Sequence, residues 1–424
     1  MTTGLLTDKY ELTMLSSFVA DGSADHGAVF ELFARRLPDG RRFGIAAGLG
    51  RLLDALPDFT FSPDELAWLI ETGALTPEAA EWLGDFRFSG DVYAYAEGDL
   101  YWPGSPLLTV TGRLGEGILL ETLALSIFNH DSAIASAAAR MAIAAQGRPL
   151  LEMGSRRAHE RAAVAVARAA YLAGFAGTSN LAAGRRYAVP TIGTAAHAFT
   201  LAHQSERAAF EAQIRALGVD TTLLVDTYDI EEGIRTAIDV AGTDLGAVRI
   251  DSGDLAVESR RARSLLDELG ATKTRIIVTS DLDEYVISAL ADAPIDGYGV
   301  GTRVATGSGH PTASMVYKLV AVADEPGGTL RPVAKSSASK KSVGGRKTAY
   351  RYPDGREFFS LDGSVPDGAE PVQHHVVRAG RIAPGPTLEQ TRERVAATLA
   401  DLPEQARQIS HGPALQSVTE EEDR

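Results

Sequence analysis

Short apolar runs alternate with helix-like stretches between residues 149 and 301, and this alternation constrains the fold more than any other feature of the sequence. Successive runs lie roughly 20–30 residues apart, which is typical of strand–helix–strand units in a parallel sheet. The predicted strands are Pro149–Glu152, Gly174–Gly177, Pro190–Gly193, Thr222–Asp226, Gly246–Asp251, Arg275–Thr279 and Gly297–Gly301, and the run Ser314–Ala323 is a candidate to close the set. Seven or eight such units favour an α/β barrel over an open sheet.

The segments that flank this region differ from it. Residues 1–115 combine alternating apolar patterns with turns and predict a β-rich α+β domain that includes a hairpin or meander over Phe86–Val110. One helix is predicted to begin after the N-cap Ser62, with Pro63 in its first position and Gly73 just past its end. The expected regions are therefore an N-terminal domain over 1–115, an irregular parallel α/β barrel over 116–330, and a C-terminal segment over 331–424 that packs on both.

The composition excludes several classes of function. The chain of 424 residues has 56 acidic and 41 basic side chains and a formal charge of −15, which disfavours a general nucleic-acid or anionic-membrane binder. It has no cysteine, which excludes disulfides, thiolate metal sites and cysteine nucleophiles. The N-terminal sequence does not resemble a signal peptide, and no stretch approaches about 18 uninterrupted apolar residues. We therefore expect a cytoplasmic protein without a membrane span.

Polar residues follow almost every predicted strand, and in a parallel α/β fold such positions converge on one face. His197 comes shortly after the strand Pro190–Gly193 and Thr194, and Asp226 ends another strand. Histidine suits acid–base work or the carriage of a phosphoryl group, and a carboxylate across the mouth suits the orientation of its ring. An isolated histidine is more often structural, but the setting beside Thr194 and Asp226 favours the functional interpretation.

The last predicted strand ends in glycines. Gly299 and Gly301 would allow backbone N–H groups to approach a phosphate, and the hydroxyl of Thr302 would add a donor. The alternative for this short pattern is a tight turn without a ligand.

Charged residues accompany two strands. Asp251 and Asp254 suit ribose hydroxyls or a Mg²⁺ ion carried by a pyrophosphate, although Asp254 suits a helix N-cap equally well. Arg249 precedes Asp251 by two residues and so points to the same side of the strand, where it needs an anionic partner unless the strand is an edge that reaches solvent. Arg156 and Arg157 follow another strand, and each suits either an anionic ligand or a surface ion pair.

Six strings occur in order along the chain, and together they resemble the nicotinate phosphoribosyltransferase family. They are Thr7–Thr13, Glu152–Arg157, Gly177–Asn180, Gly193–His197, Arg249–Asp254 and Gly299–Arg303. The basic, glycine-containing segment Lys335–Arg351 is also similar to the family. The resemblance implies a homodimer that converts nicotinate and phosphoribosyl pyrophosphate to nicotinate mononucleotide and pyrophosphate. It also implies that ATP is a co-substrate, hydrolysed through a phosphohistidine. Breakage of the bond between C1 of the ribose and the pyrophosphate calls for Mg²⁺ as a cofactor.

The same resemblance implies roles for individual residues. His197 matches the phosphorylated histidine, and Asp226 matches the carboxylate that orients it. Tyr10 matches an aromatic residue that stacks on the pyridine ring from the partner subunit, and Thr194 matches a nicotinate contact. The positions that match residues holding the nicotinate carboxylate and the phosphoribosyl group are Arg156, Arg249 and Thr302.

The chain departs from the family's pattern in a few places. Ala195 and Ala198 stand where a methionine and a serine are usual, so a hydroxyl beside His197 is lost. His159 stands where a glutamine is expected. None of these changes removes a charged catalytic group.

Ser179 favours an acid substrate over an amide. The related nicotinamide enzymes place an aspartate at the matching position, where it would repel a carboxylate, whereas a serine hydroxyl can donate to one. We therefore predict a nicotinate phosphoribosyltransferase of NAD salvage, with His197, Asp226 and Asp251 as catalytic residues. The alternatives are a nicotinamide or quinolinate phosphoribosyltransferase and a non-catalytic barrel that senses nucleotides.

Overall fold

The computed structural model describes residues 2–335 and 343–421, so part of the basic segment Lys335–Arg351 lies outside the described residues. The described helices are α1 (Lys9–Asp21), α2 (Leu49–Ala55), α3 (Pro63–Glu71), α4 (Pro77–Gly84), α5 (Leu114–Leu119), α6 (Glu121–Ala145), α7 (Glu160–Leu172), α8 (Leu181–Tyr187), α9 (His197–Leu201), α10 (Glu206–Leu217), α11 (Ile230–Ala241), α12 (Leu255–Glu268), α13 (Glu284–Ala289), α14 (Thr302–Ala305), α15 (Leu388–Ala400) and α16 (Glu404–Arg407).

The described strands are β1 (Gly27–Ala34), β2 (Gly44–Ile45), β3 (Asp91–Tyr95), β4 (Leu100–Tyr101), β5 (Pro106–Arg113), β6 (Leu150–Glu152), β7 (Gly177–Thr178), β8 (Thr222–Leu224), β9 (Ala247–Ile250), β10 (Arg275–Val278), β11 (Gly297–Val300), β12 (Met315–Val322), β13 (Arg331–Pro332), β14 (Thr348–Arg351), β15 (Glu357–Ser360), β16 (Glu370–Pro371), β17 (Gln373–Arg378) and β18 (Arg381–Ile382). Short 3₁₀ turns occur at Ser23–Asp25, Leu56–Asp58 and Ser155–Arg157.

The chain divides into two compact units. Unit 1 consists of Met1–Ala133, Thr312–Thr391 and His411–Arg424, and unit 2 consists of Ile134–Pro311 and Arg392–Ser410. No helix in the described part of the chain has both the length and the apolar character needed to cross a membrane.

Unit 1 is built on an antiparallel sheet in the order β13-β12-β1-β5-β3-β17-β18. Strand β1 lies inside this sheet and is buried along most of its length. Its Glu31 is fully buried, and the ammonium group of Lys347 lies 2.5 Å from the Glu31 carboxylate. Burial raises the pKa of Glu31, and Lys347 opposes that shift. Lys347 therefore supplies the counter-charge for the buried Glu31 carboxylate inside the β-rich unit.

The predicted helix start in this unit is confirmed. Ser62 caps α3 by accepting a hydrogen bond from the backbone N–H of Glu65, whose side chain in turn accepts from the Ser62 backbone N–H. Pro63 occupies the first turn, where its missing N–H costs nothing, and Gly73 follows the helix with a positive φ of 65°. Both ends of this helix were therefore encoded locally.

The prediction that Ser314–Ala323 closes the parallel set is wrong. Strand β12 (Met315–Val322) pairs antiparallel with β1 and β13 in unit 1. It has eight residues and its Lys318 is partly exposed, whereas β11, the parallel strand that precedes it in sequence, has four residues that are all buried. A partly exposed lysine fits an antiparallel strand with one solvated face.

Unit 2 is built on a six-stranded parallel sheet in the order β7-β6-β11-β10-β9-β8. Read around a circle, this is the order of the strands along the chain, because the last strand, β11, pairs with the first, β6. That closure of last on first distinguishes barrel winding from an open doubly wound sheet. The predicted α/β class with an additional β-rich part is confirmed, and the parallel sheet forms a half-barrel.

The predicted strand Pro190–Gly193 does not form a ladder. It contributes a single parallel bridge between Thr191 and Thr178 of β7. Strand β8, the next strand along the chain, pairs with β9 but has no ladder on its other side within the fully described range 134–311. The barrel order is thus interrupted between Thr191 and Thr222, which leaves six paired strands where seven or eight were expected.

Candidate active site

An imidazole and a carboxylate face each other beside the carboxyl end of β8. His197 is the first residue of α9, and Asp226 follows the last residue of β8 by two positions. The Nε2 atom of His197 lies 3.9 Å from Oδ1 of Asp226, an ion-pair distance rather than a direct hydrogen bond. The Nδ1 atom of His197 lies 3.2 Å from the hydroxyl of Thr227. The His197 side chain is 41% exposed and that of Asp226 is 1% exposed, so a ligand can reach the ring but not its carboxylate neighbour.

Asp226 is held by the loop that follows β9. Its Oδ2 atom accepts hydrogen bonds from the backbone N–H of Asp251 at 2.8 Å and from the hydroxyl of Ser252 at 2.7 Å. Its Oδ1 atom, the one that faces His197, is buried and has no hydrogen-bond partner within the described part of the chain. The carboxylate is therefore fixed by one oxygen, while the other is free to respond to the charge on the imidazole.

Arg249 brings the ends of three segments together. Its Nε donates to Thr279 Oγ1 at 3.2 Å, and its Nη1 donates to Thr194 Oγ1 at 3.1 Å and to the carbonyl of Ala195 at 3.3 Å. Its Nη2 lies 3.8 Å from the carboxylate of Asp251, so the expected anionic partner is present. The Arg249 side chain is only 13% exposed and its charge stays close to the strand ends.

Sequence reasoning missed some members of this cluster. Thr279 donates a short hydrogen bond to Asp251 while accepting from Arg249, and so it links the guanidinium to the carboxylate. The sequence predicts Thr279 as the last residue of a strand, but β10 ends at Val278. Thr279 is therefore a polar residue directly after a parallel strand, like the other residues predicted at the strand ends. Thr227 and Ser252 were also overlooked as contacts, since their role depends on where His197 and Asp226 lie in space.

The loops after β6 and β7 carry Arg156 and Ser179. Arg156 lies in the 3₁₀ turn that follows β6 and is exposed, and Ser179 directly follows β7 and is half-buried. The two loops are joined by a hydrogen bond from Asn180 to the Ser155 hydroxyl and by one from the Ser179 backbone N–H to the Glu152 carbonyl. Arg156 and Ser179 therefore occupy adjacent strand ends of the half-barrel.

The Glu152 side chain holds the loops after β6 and β7 in place. Its buried carboxylate accepts hydrogen bonds from the hydroxyl of Thr178 and from the backbone N–H of Gly154. Burial raises the pKa of Glu152, and these two hydrogen bonds oppose the rise. Gly154 is needed here, because a Cβ atom on it would lie 2.8 Å from the Glu152 carboxylate and 2.9 Å from Ala305.

Gly299 in β11 and Gly301 just past its end have different surroundings. A Cβ atom on Gly299 would lie 2.4 Å from a methyl group of Thr279 and 2.8 Å from the sulfur of Met153, so this glycine makes room for packing. A Cβ atom on Gly301 would meet only ordinary van der Waals contacts, the nearest at 3.4 Å. The structure thus explains Gly299 without a ligand. Gly301, which was predicted to end the strand, and Thr302, the first residue of α14, both lie past the end of β11.

Tyr10 belongs to unit 1, whereas the other predicted site residues belong to unit 2. It lies on α1 and is 45% exposed. The neighbouring Glu11 anchors that helix by accepting hydrogen bonds from the backbone and hydroxyl of Thr122 at 2.9 Å and 2.5 Å. Partial burial and the nearby carboxylate of Glu121 raise the pKa of Tyr10 to about 12, so its ring stays neutral.

The sequence matches two family models, which together cover most of the chain. Residues 5–129 match the N-terminal domain of nicotinate phosphoribosyltransferase, and residues 149–355 match the nicotinate phosphoribosyltransferase family. The chain belongs to the nicotinate phosphoribosyltransferase family.

Curated relatives support this family assignment. The chain is 55% identical over 433 aligned residues to nicotinate phosphoribosyltransferase pncB1 of Mycobacterium tuberculosis, an alignment that covers 98% of this chain and 95% of the relative. It is 39% identical over 357 residues to the nicotinate phosphoribosyltransferase of Bacillus subtilis, covering 82% of this chain and 72% of the relative.

Solved structures agree with the fold of this family. Human nicotinic acid phosphoribosyltransferase superposes with a TM-score of 0.84 at 28% identity, covering 98% of both chains. The nicotinate-nucleotide pyrophosphorylase of Pyrococcus furiosus superposes with a TM-score of 0.79 at 23% identity, covering 94% of this chain and 96% of the other. The second likeness shows the fold alone.

Proposed function

We propose that this chain transfers the phosphoribosyl group of phosphoribosyl pyrophosphate to nicotinate, yielding nicotinate mononucleotide and pyrophosphate for NAD salvage. The observation that carries the proposal is the meeting of Arg249, Asp251, Asp226 and His197 at the carboxyl ends of two adjacent strands, in a chain of this family. Both substrates are anions, and an acidic protein needs a concentrated local cation to bind them.

The transfer requires stabilisation of charge on the leaving pyrophosphate and alignment of the ring nitrogen with C1 of the ribose. Arg249 supplies a guanidinium held in place by Thr194 and Thr279 before substrate arrives, so little reorganisation is needed. Arg156 supplies a second cation that no described side chain neutralises. Gly301 leaves space for close approach of a phosphate, and the Thr302 hydroxyl adds a donor.

The residues present fit a Mg²⁺ ion carried by the pyrophosphate rather than an ion caged by protein. Within residues 2–335 and 343–421 there is no group of three or more His, Asp or Glu side chains that could hold a metal ion. Mg²⁺ prefers oxygen ligands and is often held by one or two carboxylates together with substrate phosphates. Asp251, whose side chain is 32% exposed, would hold the ion, which would neutralise charge on the leaving group.

His197 is proposed to accept the γ-phosphoryl group of ATP. The Asp226 carboxylate facing Nε2 favours the tautomer with its proton on that nitrogen, which leaves the lone pair on Nδ1. The Thr227 hydroxyl, 3.2 Å from Nδ1, would turn away from this lone pair before it reacts. Attack of this lone pair on the γ-phosphorus forms the N–P bond and releases ADP, and later hydrolysis releases phosphate. The phosphoryl group would add negative charge that orders the Mg²⁺–pyrophosphate complex and so couples ATP hydrolysis to substrate binding.

Ser179 is proposed to select the acid substrate. In Ser179→Asp we expect kcat/KM for nicotinate to fall about 10- to 100-fold relative to nicotinamide, because an added carboxylate repels the substrate carboxylate. The kcat/KM values for nicotinate and for nicotinamide are both measured at saturating phosphoribosyl pyrophosphate. Ser179→Asn is the neutral control of similar size and should change the ratio much less. An unaltered preference in the aspartate variant contradicts this role.

Tyr10 is proposed to complete the active site of the partner subunit in a homodimer. Its exposed, neutral ring suits stacking on a pyridine. We expect Tyr10→Ala and Arg156→Ala homodimers to be inactive, and a purified heterodimer of the two to recover about half of the wild-type activity, because one of its two sites lacks both lesions. A confirmed heterodimer without activity excludes a shared site.

The reaction is tested by release of pyrophosphate from phosphoribosyl pyrophosphate with nicotinate, nicotinamide or quinolinate, each with and without ATP. We expect turnover with nicotinate and stimulation by ATP. Turnover with quinolinate and release of CO₂, or a preference for nicotinamide, identifies a different transferase. Binding of nucleotides in calorimetry without any turnover identifies a sensor. We expect the enzyme to work in the cytoplasm.

A further inference from the structure

Two carboxylate oxygens, one beside His197 and one on α10, are buried and have no hydrogen-bond partner among the described residues. One is Oδ1 of Asp226, which lies 3.9 Å from the imidazole, and the other is Oε1 of Glu206. An unpaired buried carboxylate oxygen is costly, so a native fold normally gives it a donor, a cation or a proton. The proposed reaction assigns a role to Asp226 and none to Glu206.

Glu206 begins a helix that packs against two neighbouring helices. It is the first residue of α10, after the N-cap Ser205, and α10 packs against both α9, which begins with His197, and α11, whose N-cap is Asp229. Burial, then the carboxylates of Asp226 and Asp229, raises the pKa of Glu206 to about 7. Glu206 therefore changes charge in the physiological range.

Two arginines and a histidine on or next to the packed helices already have partners. Arg207 on α10 pairs with Asp239 of α11, and Arg235 on α11 pairs with Glu231. His203, just past α9, is bonded to the carbonyl of Phe199.

Arg249 has other partners, and no metal-binding group of side chains is available to Glu206 in the described part of the chain. Arg249 is bonded to the strand ends at Thr194 and Thr279. The described part of the chain also offers no three-residue group of metal-ligating side chains. A proton on Glu206 removes the repulsion between its carboxylate and the carboxylates of Asp226 and Asp229.

We propose that Glu206 is a positioning residue that acts through Asp226, and that its protonation state sets how strongly the Asp226 carboxylate retains a proton on the imidazole of His197. The inference rests on the proposed role of His197 as the phosphoryl acceptor. Neutral Glu206 weakens the negative potential around Asp226, so the imidazole loses its second proton more readily and becomes nucleophilic. Ionised Glu206 adds a negative charge that holds the second proton on the imidazole.

The first test measures the protonation of His197 directly. The full-length protein is treated with diethyl pyrocarbonate, which reacts with neutral imidazole, over pH 5.5–8.5, and mass spectrometry gives the rate at the His197 peptide. In Glu206→Gln we expect the midpoint of this rate to move to lower pH by about half a unit, a roughly threefold loss of proton affinity. Glu211→Gln, on the exposed face of the same helix, is the matched control and should leave the midpoint in place. Identical midpoints in wild type and Glu206→Gln overturn the proposal.

A double-mutant cycle then tests whether Glu206 acts through Asp226. In an Asp226→Asn background we expect Glu206→Gln to move the His197 midpoint by less than half of its effect in the wild type. Fully additive shifts show that Glu206 acts independently of Asp226 and overturn the positioning role. Thermal melting of each variant confirms that the fold is intact.

The same experiment separates this inference from the proposed reaction. The pH dependence of ³²P incorporation from γ-labelled ATP is measured in parallel, and its rising limb should move to lower pH in Glu206→Gln together with the modification midpoint. If the modification midpoint moves as expected but no ³²P is incorporated at any pH, the phosphohistidine is wrong and the coupling between Glu206 and His197 is supported. If ³²P is incorporated and neither profile moves, the reaction stands and the role of Glu206 is wrong.

Discussion

Replacement of His197 by alanine is expected to abolish ³²P incorporation from γ-labelled ATP and to reduce the ratio of turnover with ATP to turnover without ATP to about 1. In the presence of ATP, kcat/KM should fall at least ~100-fold, or about 2.7 kcal/mol, because the phosphoryl group that orders the pyrophosphate complex has no acceptor. The physical basis is an imidazole that is 41% exposed beside a carboxylate that is 1% exposed. A pyrophosphate-release assay and acid-sensitive labelling measure both quantities.

His203→Ala is the matched control for this change. His203 lies six residues further along the chain, donates to or accepts from nothing at the site, and is bonded to the carbonyl of Phe199. It should keep both the labelling and the ATP stimulation. Persistent labelling and stimulation in His197→Ala would show that the phosphoryl acceptor is elsewhere.

Replacement of Arg249 by methionine is expected to lower kcat/KM by about 10²–10³-fold, or roughly 2.7–4 kcal/mol, with or without ATP. Methionine keeps much of the side-chain volume but removes the charge and every donor. Thr194, Thr279 and Asp251 would then lose the group that joins them, and both anionic substrates would lose a prepositioned cation. Steady-state kinetics with each substrate varied in turn measures the effect.

Two further variants distinguish charge from geometry at this position. Arg249→Lys should recover part of the activity, because an ammonium group retains the charge without the planar fork of donors. Arg275→Met is the control on the neighbouring strand: Arg275 lies at the opposite, amino-terminal end of β10, is exposed, and lies 3.6 Å from Asp220. It should keep near-wild-type kinetics. Equal losses in Arg249→Met and Arg275→Met would mean that the defect is in folding rather than in the site.

Several features of the structure could be predicted from short stretches of neighbouring residues. Ser62 and Pro63 defined the start of α3, and the alternation of apolar runs with helical stretches defined the parallel sheet of unit 2. The rule that polar residues after parallel strands converge predicted that Asp226 and Asp251 lie close together, and the two-residue period of a strand predicted that Arg249 lies on the same side as Asp251. Asp254, for which a helix cap was the alternative, does cap α12 through the backbone N–H groups of Ala256 and Val257.

Other features depended on contacts between segments distant in sequence. An apolar run such as Ser314–Ala323 has the composition of a strand in either sheet, and its partner β1 lies almost 300 residues earlier in the chain. The packing reason for Gly299 is visible only once Thr279 and Met153 are in place around it. The unpaired oxygen and raised pKa of Glu206 arise from burial and from Asp226 and Asp229, none of which is encoded near residue 206.

The sequence by itself determined which residue types stand at the ends of which strands, because secondary structure periodicity and strand-end chemistry are properties of a few neighbouring residues. Only the tertiary structure decided which of those ends meet, how far His197 lies from Asp226, and which carboxylates share a poorly solvated space. The reason is that distances, burial and electrostatic coupling are set by the closure of long chain segments onto one another, and no local pattern specifies them.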